Sequence, residues 1–267
     1  MHWNKKIAII GGGNLGSAIA EGLHVSNQMS MDNIWITRRN TSNLNRLFEM
    51  GMHVTKDNLE ACDKADIVIL AIKPYQAKDI MLEIKSKIDP SAIVISVVTG
   101  LELSEIKNVL GKDTGLFRAM PNTAIAIRES MTCICHYGAT EQQIEDVDKL
   151  FGLLGKNAFI QETLMEAATV LGACGTAYAM RYIRANIQGG IEIGFDAKTA
   201  NLIAAQTVLG ASQLLLINGT HPEEEIDKVT TPKGCTIAGL NEMEHRGFSS
   251  SLIKGIATSY RKIAKDL

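Results

Sequence analysis

Several things are missing from this sequence, and each absence closes off a class of protein. An excess of charge of one sign is missing: 27 basic residues stand against 29 acidic ones, a formal charge of −2. Nothing therefore draws the chain toward a polyanion, and nucleic acid is not an expected partner. Long hydrophobic runs are missing too. Stretches such as Ile67–Ile72 and Ile93–Val98 are far too short to cross a bilayer, so no membrane is expected. Met1–Lys6 does not open a signal peptide, because the apolar run behind it breaks at once into glycines. Five cysteines (Cys62, Cys133, Cys135, Cys174, Cys235) form no CxxC pair. That excludes a disulfide framework and a structural zinc site, and leaves ordinary buried thiols in a reducing cytoplasm as the expectation. Six histidines are scattered without metal-site spacing, and no Ser/His/Asp order or nucleophile elbow points to a hydrolase. Internal repeats and low-complexity tracts are absent. What remains, 46% apolar and 21% charged residues over 267 positions, is the balance of a soluble globular protein with room for one large domain or two ordinary ones.

The chain changes character near residue 160. Before that point, short β-rich runs alternate with helical patterns. Strands are predicted at Lys6–Ile10, Asn33–Thr37, His53–Thr55, Asp66–Ile72, Ser91–Val98 and Gly115–Met120. Helices are predicted at Asn14–His24, Thr41–Met50, Ala77–Ile88 and Leu103–Leu110. Strands that are apolar throughout imply a parallel sheet covered by helices on both faces. Beyond 160 the strand signal vanishes, and Glu162–Gln188, Ala197–Asn218 and Ser249–Leu267 read as long helices. The expected division is therefore an α/β domain over 1–160 and a helical domain over 161–267. Leu202–Ile217 is apolar around most of its circumference. So short a helical segment cannot cover such a face alone, which predicts a subunit interface.

Gly11-Gly12-Gly13-Asn14-Leu15-Gly16 satisfies GxGxxG at Gly11, Gly13 and Gly16. The hexapeptide alone is weak, but here it lies between a strand and a helix, the context that dinucleotide binding requires. Gly11 permits the tight turn, Gly13 lets a pyrophosphate approach the backbone, and Gly16 lets helix and strand pack closely. The helix N-terminus then offers N–H groups to the phosphates. At the end of the second predicted strand an NAD-selective site offers a carboxylate for the ribose. This chain has Thr37, Arg38 and Arg39 instead, a hydroxyl and two guanidinium groups suited to a 2′-phosphate. NADPH is the expected cofactor, with NADH as the alternative. Two further loops, Ala71-Ile72-Lys73-Pro74 and Val97-Val98-Thr99-Gly100, follow strands where ligands bind. Lys73 is either a contact there or a surface lysine before a rigid proline.

Taken in order, GGGNLG, AIKP, SVVTG, the Arg118–Ala124 run RAMPNTA, His221-Pro222 and the Thr231–Leu240 run TPKGCTIAGL resemble the pyrroline-5-carboxylate reductase family over nearly the whole chain. RAMPNTA and TPxGxTIAGL are the specific parts. The resemblance implies a Rossmann-like parallel-sheet domain followed by an all-helical dimerisation domain, and a homodimer or higher homo-oligomer built through the C-terminal helices. It implies reduction of a small-molecule substrate, 1-pyrroline-5-carboxylate, to L-proline with NAD(P)H in the cytoplasm. By position, cofactor contacts fall on Ile10, Gly11, Gly12, Gly13, Asn14, Leu15, Thr37, Arg38, Arg39, Asn58, Ala71, Ile72, Lys73, Pro74, Val97, Val98 and Thr99. Substrate contacts fall on Asn122, Glu162, Thr231, Gly234, Cys235 and Thr236, with the catalytic roles assigned to Thr236, Glu162 and Cys235.

Hydride adds best to a protonated imine, so such a site must grip the carboxylate, hold the ring and exclude water. The hydroxyls of Thr231 and Thr236 and nearby backbone N–H groups suit the carboxylate, and Glu162 suits the ring nitrogen. Glu162 also reads as a plain acid in a helix first turn. The chain departs from the family in two places. Gly172-Ala173-Cys174-Gly175-Thr176 replaces a Ser-Gly-Ser-Gly-Pro run, and Lys233 and Cys235 stand where Gly and Thr are usual. A thiol is a weak donor, so reduction of a different imine or ketone, or cofactor binding without catalysis, stand as alternatives.

Overall fold

The computed structural model describes residues 3–111 and 115–265, and it divides into two compact units, the first ending at Cys174 and the second beginning at Gly175. The division falls beyond the expected residue 160, because Glu162, Glu166 and Asn122 tie the intervening segment to the first unit.

The first unit alternates as its sequence pattern requires: β1 Ile7–Ile10, α1 Asn14–Ser26, β2 Ile34–Thr37, α2 Asn45–Glu49, β3 His53–Thr55, α3 Asn58–Cys62, β4 Ile67–Leu70, α4 Ala77–Ile84, β5 Ile93–Ser96, α5 Leu103–Leu110 and β6 Leu116–Met120. It continues through β7 Ser130–Tyr137, α6 Glu141–Gly152, β8 Gly155–Phe159 and α7 Met165–Ala168. One sheet runs in the order β3-β2-β1-β4-β5-β6-β7-β8. Its first six strands are parallel, in the doubly wound order that places ligands beyond the carboxyl edge of β1.

Side-chain alternation sorts the core into two layers. Ile7, Ile9, Ile36, Ile69 and Phe117 pack with α1 and α6 residues on one face. Ala8, Ile10, Val68, Val94 and Leu116 pack with α3, α4 and α5 residues on the other.

Some elements depart from expectation. The sheet is not wholly parallel, since β7 pairs antiparallel with β6. Neither β7 nor β8 was expected: β7 alternates buried and exposed positions, and Gly155-Lys156-Asn157-Ala158-Phe159 is half-exposed throughout, so neither offers a continuous apolar run. The short α3 was not expected, nor was α6, although Thr140 and Gln143 give α6 a complete capping box. Thr41–Leu44 is a 3₁₀ turn capped by Asn40 before α2 begins. The expected single helix Glu162–Gln188 is instead a 3₁₀ turn at Glu162–Leu164, then α7, then a π-helical stretch Thr169–Cys174. The Thr169 hydroxyl donates back to the Met165 carbonyl, a bond that loosens helical geometry.

The second unit contains α8 Gly175–Glu192, α9 Ala197–Asn218, α10 Pro222–Lys228, α11 Cys235–His245 and α12 Phe248–Lys265. Asp266 and Leu267, the end of the expected last helix, lie outside the described residues. Its buried cluster is small: Ile187, Ala200 and Ala204, with Ile183 packed on them. Leu202, Leu209, Leu216, Ile217, Leu252 and Ile253 are exposed on the single chain. By length and composition α9 is apolar enough to cross a membrane, so the expectation that every apolar stretch is too short is corrected at this helix.

Buried thiols give this fold a titration signature. Burial pushes Cys62 up to about 12 and Cys135 up to about 11. Both thiols stay protonated in the folded chain while the unfolded chain releases their protons near pH 9, so their contribution is intact below that value and is lost above it. Unfolding free energy should fall by about 1.4 kcal/mol per pH unit per thiol in this window. Denaturant melts from pH 8 to 11 should therefore decline less steeply for Cys62→Ala than for the wild type.

Candidate functional site

The glycine turn is a set of close backbone approaches. Gly11 sits at φ +109°, and a Cβ there would overlap the carbonyl oxygen of Ala71. A Cβ on Gly16 would overlap the carbonyl oxygen of Gly11, so α1 can cross β1 this closely only with glycine at that position. Gly12 donates its N–H to the Thr37 carbonyl at 2.6 Å. Gly13 differs from the other three, since nothing lies within 4 Å of an added Cβ. It caps α1 without any side chain over the first-turn N–H groups of Asn14 and Leu15. An open backbone cradle at a helix N-terminus is what a pyrophosphate needs, and the residues present fit a dinucleotide.

The end of β2 braces this turn. The Gly11 N–H donates to Thr37 Oγ1 at 3.2 Å, and Arg38 Nη1 donates to the Gly12 carbonyl at 2.8 Å. Thr37 is buried beneath the turn, which corrects the expectation that its hydroxyl faces a 2′-phosphate. Arg38 is half-buried and keeps other donors of its guanidinium, while Arg39 is exposed. Ala71 extends the sheet edge by donating its N–H to Ile10, and Val97 donates to Leu70. Ile72 is half-buried, and Lys73, Pro74 and Thr99 are exposed beyond those strand ends. Val98 is buried, its N–H held by Ser96 Oγ at 3.2 Å. Asn58 opens α3, and its side chain donates to Glu83 at 3.2 Å. The residues expected on the cofactor side thus follow the carboxyl ends of β1 to β5.

Two residues expected at the substrate have other engagements. The Asn122 carboxamide accepts from the Ala124 N–H at 3.0 Å and donates to the Gly172 carbonyl at 3.3 Å, which commits it to the turn after β6. Glu162 Oε1 accepts from Arg118 Nη1 at 3.0 Å and from the Leu103 N–H at 2.8 Å. Its Oε1 is thus engaged within the first unit, while the side chain is 35% exposed, so it is not a plain solvent-facing acid. Arg118 is the residue sequence reading missed: its side chain is 3% exposed and also donates to Glu166 at 3.0 Å. Burial opposes the guanidinium charge, but the bonds to Glu162 and Glu166 outweigh it and hold the pKa above the ordinary arginine value. The signal was an arginine at the centre of an otherwise apolar strand, Leu-Phe-Arg-Ala-Met.

In the second unit, Thr231, Gly234, Cys235 and Thr236 lie together before and within the first turn of α11. The Gly234 N–H donates to the Thr231 carbonyl at 3.0 Å, and Gly234 caps the helix without a side chain. Cys235 is exposed and Thr236 half-buried, which corrects the expectation of a buried thiol at 235. Lys233 adopts φ +58°, a conformation that costs a non-glycine residue roughly 1–2 kcal/mol.

Sheet order and glycine cradle together are those of a Rossmann-type dinucleotide-binding protein. Residues 162–266 match the family model described as pyrroline-5-carboxylate reductase dimerisation, and residues 6–100 match one described as NADP oxidoreductase, coenzyme F420-dependent. The chain is 47% identical to pyrroline-5-carboxylate reductase 1 of Dictyostelium discoideum, over 98% of its own length and 50% of that protein's. It is 45% identical to reductase 2 of the same organism, over 98% and 93% respectively. It therefore spans about half the length of the first of these relatives and nearly all of the second. The solved structure of Plasmodium falciparum pyrroline carboxylate reductase with NADP bound superposes with a TM-score of 0.89 at 23% identity, covering 98% of both chains. The chain belongs to the pyrroline-5-carboxylate reductase family.

Two glycines separate ligand room from folding. Gly13→Ala enters open space and should cost under about 1 kcal/mol of stability while weakening pyridine dinucleotide binding about tenfold or more. Gly16→Ala must push backbone and should cost about 3 kcal/mol or more. Calorimetric titration beside thermal melts reads both.

Proposed function

We propose that this protein reduces 1-pyrroline-5-carboxylate to L-proline with NADPH as the hydride donor. The observation that carries this reading is the intact glycine cradle, braced by Arg38, in a chain related to such reductases along nearly its whole length. Gly11 to Leu15 would hold the pyrophosphate, Arg38 and Arg39 the 2′-phosphate, and the loops at Ala71–Pro74 and Val97–Thr99 the nicotinamide half. When bound, the nicotinamide supplies a hydride to the protonated imine carbon.

The chain's own contribution is to bind and orient. Backbone N–H groups at the start of α11, uncapped by any side chain of Gly234, would take the substrate carboxylate, and the hydroxyls of Thr231 and Thr236 would fix its direction. Cys235 would add little to that grip, because a thiol is a weak donor. Glu162 Oε1 already accepts two donors within the first unit, so this reading assigns Glu162 to holding that unit rather than to the imine nitrogen. The dimerisation-model match supports a second copy of the chain as the cover of the exposed apolar face of the second unit. A cytosolic setting completes the proposal, supported by five free cysteines.

The test is consumption of NADPH absorbance with pyrroline-5-carboxylate, set against other cyclic imines and 2-keto acids. Turnover only on the latter compounds, or none on any, would overturn the reading. Arg39→Asp, at an exposed position with no bracing role, should cut NADPH affinity about tenfold or more and leave NADH affinity within about twofold. Fluorescence titration with both nucleotides checks the split.

A further inference from the structure

The buried ion cluster has a feature that packing alone does not require. The N-terminus of α5 has no cap from its own neighbour, because Glu102 makes no side-chain cap bond. The Leu103 N–H is taken instead by Glu162, a residue 59 positions later in the chain. A carboxylate there satisfies one of the orphan donors and complements the positive end of the helix. Glu162 is itself held by Arg118, and Arg118 by Glu166. Arg118 is buried on β6 in register with Ser96 of β5, and Ser96 holds the Val98 N–H.

The segment between β5 and α5 is therefore gripped at both ends. Val97 and Val98 are fixed to the sheet by Leu70 and Ser96, and Leu103 is fixed by Glu162. The turn between them includes Gly100 at φ +77°. This segment carries the Val97, Val98 and Thr99 positions assigned above to the cofactor.

We infer that Glu162 is a positioning residue for the dinucleotide: through the Leu103 N–H it sets where the 97–102 loop stands, with Arg118 and Glu166 as its anchor. The inference rests on the proposed cofactor site. It gives Glu162 a role in cofactor affinity and none in proton transfer.

The experiment uses the whole protein. Glu162→Asp keeps a negative charge near Arg118 but is one methylene shorter, so it cannot reach both Arg118 and the Leu103 N–H, which one oxygen of Glu162 accepts together. It should weaken NADPH binding about tenfold and raise the NADPH KM to match, with kcat at saturating NADPH and its pH profile within about twofold of wild type. Amides at 97–103 should exchange hydrogen faster in the nucleotide-free variant. Glu162→Gln keeps an oxygen acceptor for the Leu103 N–H, so its affinity should stay within about threefold of wild type. Glu166→Gln removes one of the two carboxylates that hold Arg118, so it should loosen the same loop, with faster exchange at 97–103 and weaker NADPH binding than wild type, by less than Glu162→Asp does.

Wild-type affinity and loop exchange in Glu162→Asp would overturn the inference. So would a collapse of kcat with an altered pH profile in both Glu162 variants, which would return this carboxylate to the reacting ring. Nucleotide affinity and exchange are read without imine. A wild type that binds NADPH but does not reduce pyrroline-5-carboxylate therefore sinks the functional reading alone.

Discussion

The carbonyl oxygen of Gly11 occupies the space that any side chain at position 16 would need, and the architecture of the nucleotide side depends on that approach. With glycine at 16, α1 lies directly against the end of β1. Its first-turn N–H groups then open onto the carboxyl edge of the sheet. The second strand locks the arrangement through Thr37 and Arg38. The surface proposed for the pyrophosphate is therefore mostly main chain, which explains why small residues rather than reactive ones dominate it. A backbone cradle gives anion binding without a titrating group, so its grip does not depend on a side chain's protonation state.

Arg118 presents the opposite economy, a full charge inside an apolar layer. Desolvating a guanidinium is costly, and the cost is met here by two carboxylates, with Nε left unpaired in the core. Buried ion pairs of this kind contribute little net stability against an apolar replacement, yet removing one partner is strongly destabilising. Their value lies in direction. Arg118 ties the segment after β8 to β6, and the Asn122–Gly172 bond carries the same attachment on toward Cys174.

The second unit follows a different logic. Its helices bury only a few small side chains among themselves, and its large aliphatic residues face outward on the single chain. A helix such as α9 is long and apolar enough to cross a membrane for the same reason that it suits a subunit interface: both environments reward an apolar circumference. Composition cannot separate the two. The family match over 162–266 favours the interface.

Much of this was legible in the residues. Continuous apolar runs marked β4 and β5, and the boundaries of His53–Thr55, Leu103–Leu110 and Ala197–Asn218 follow the pattern residue for residue, because strand and helix periodicity are local properties. GxGxxG between a strand and a helix located the cradle, since the need for glycine there is steric and local. The half-exposed β7 and β8 were hidden, because an alternating or polar edge strand has no continuous apolar run. The partners of Thr37, Asn122 and Glu162 were hidden for a deeper reason. Each is a polar group whose role depends on what distant segments bring to it, 26, 50 and 59 residues away. The sequence by itself determined the periodic elements, the glycine turn and the kinship; only tertiary structure decided the edge strands, which polar side chains remain open to a ligand and which are consumed in holding the fold.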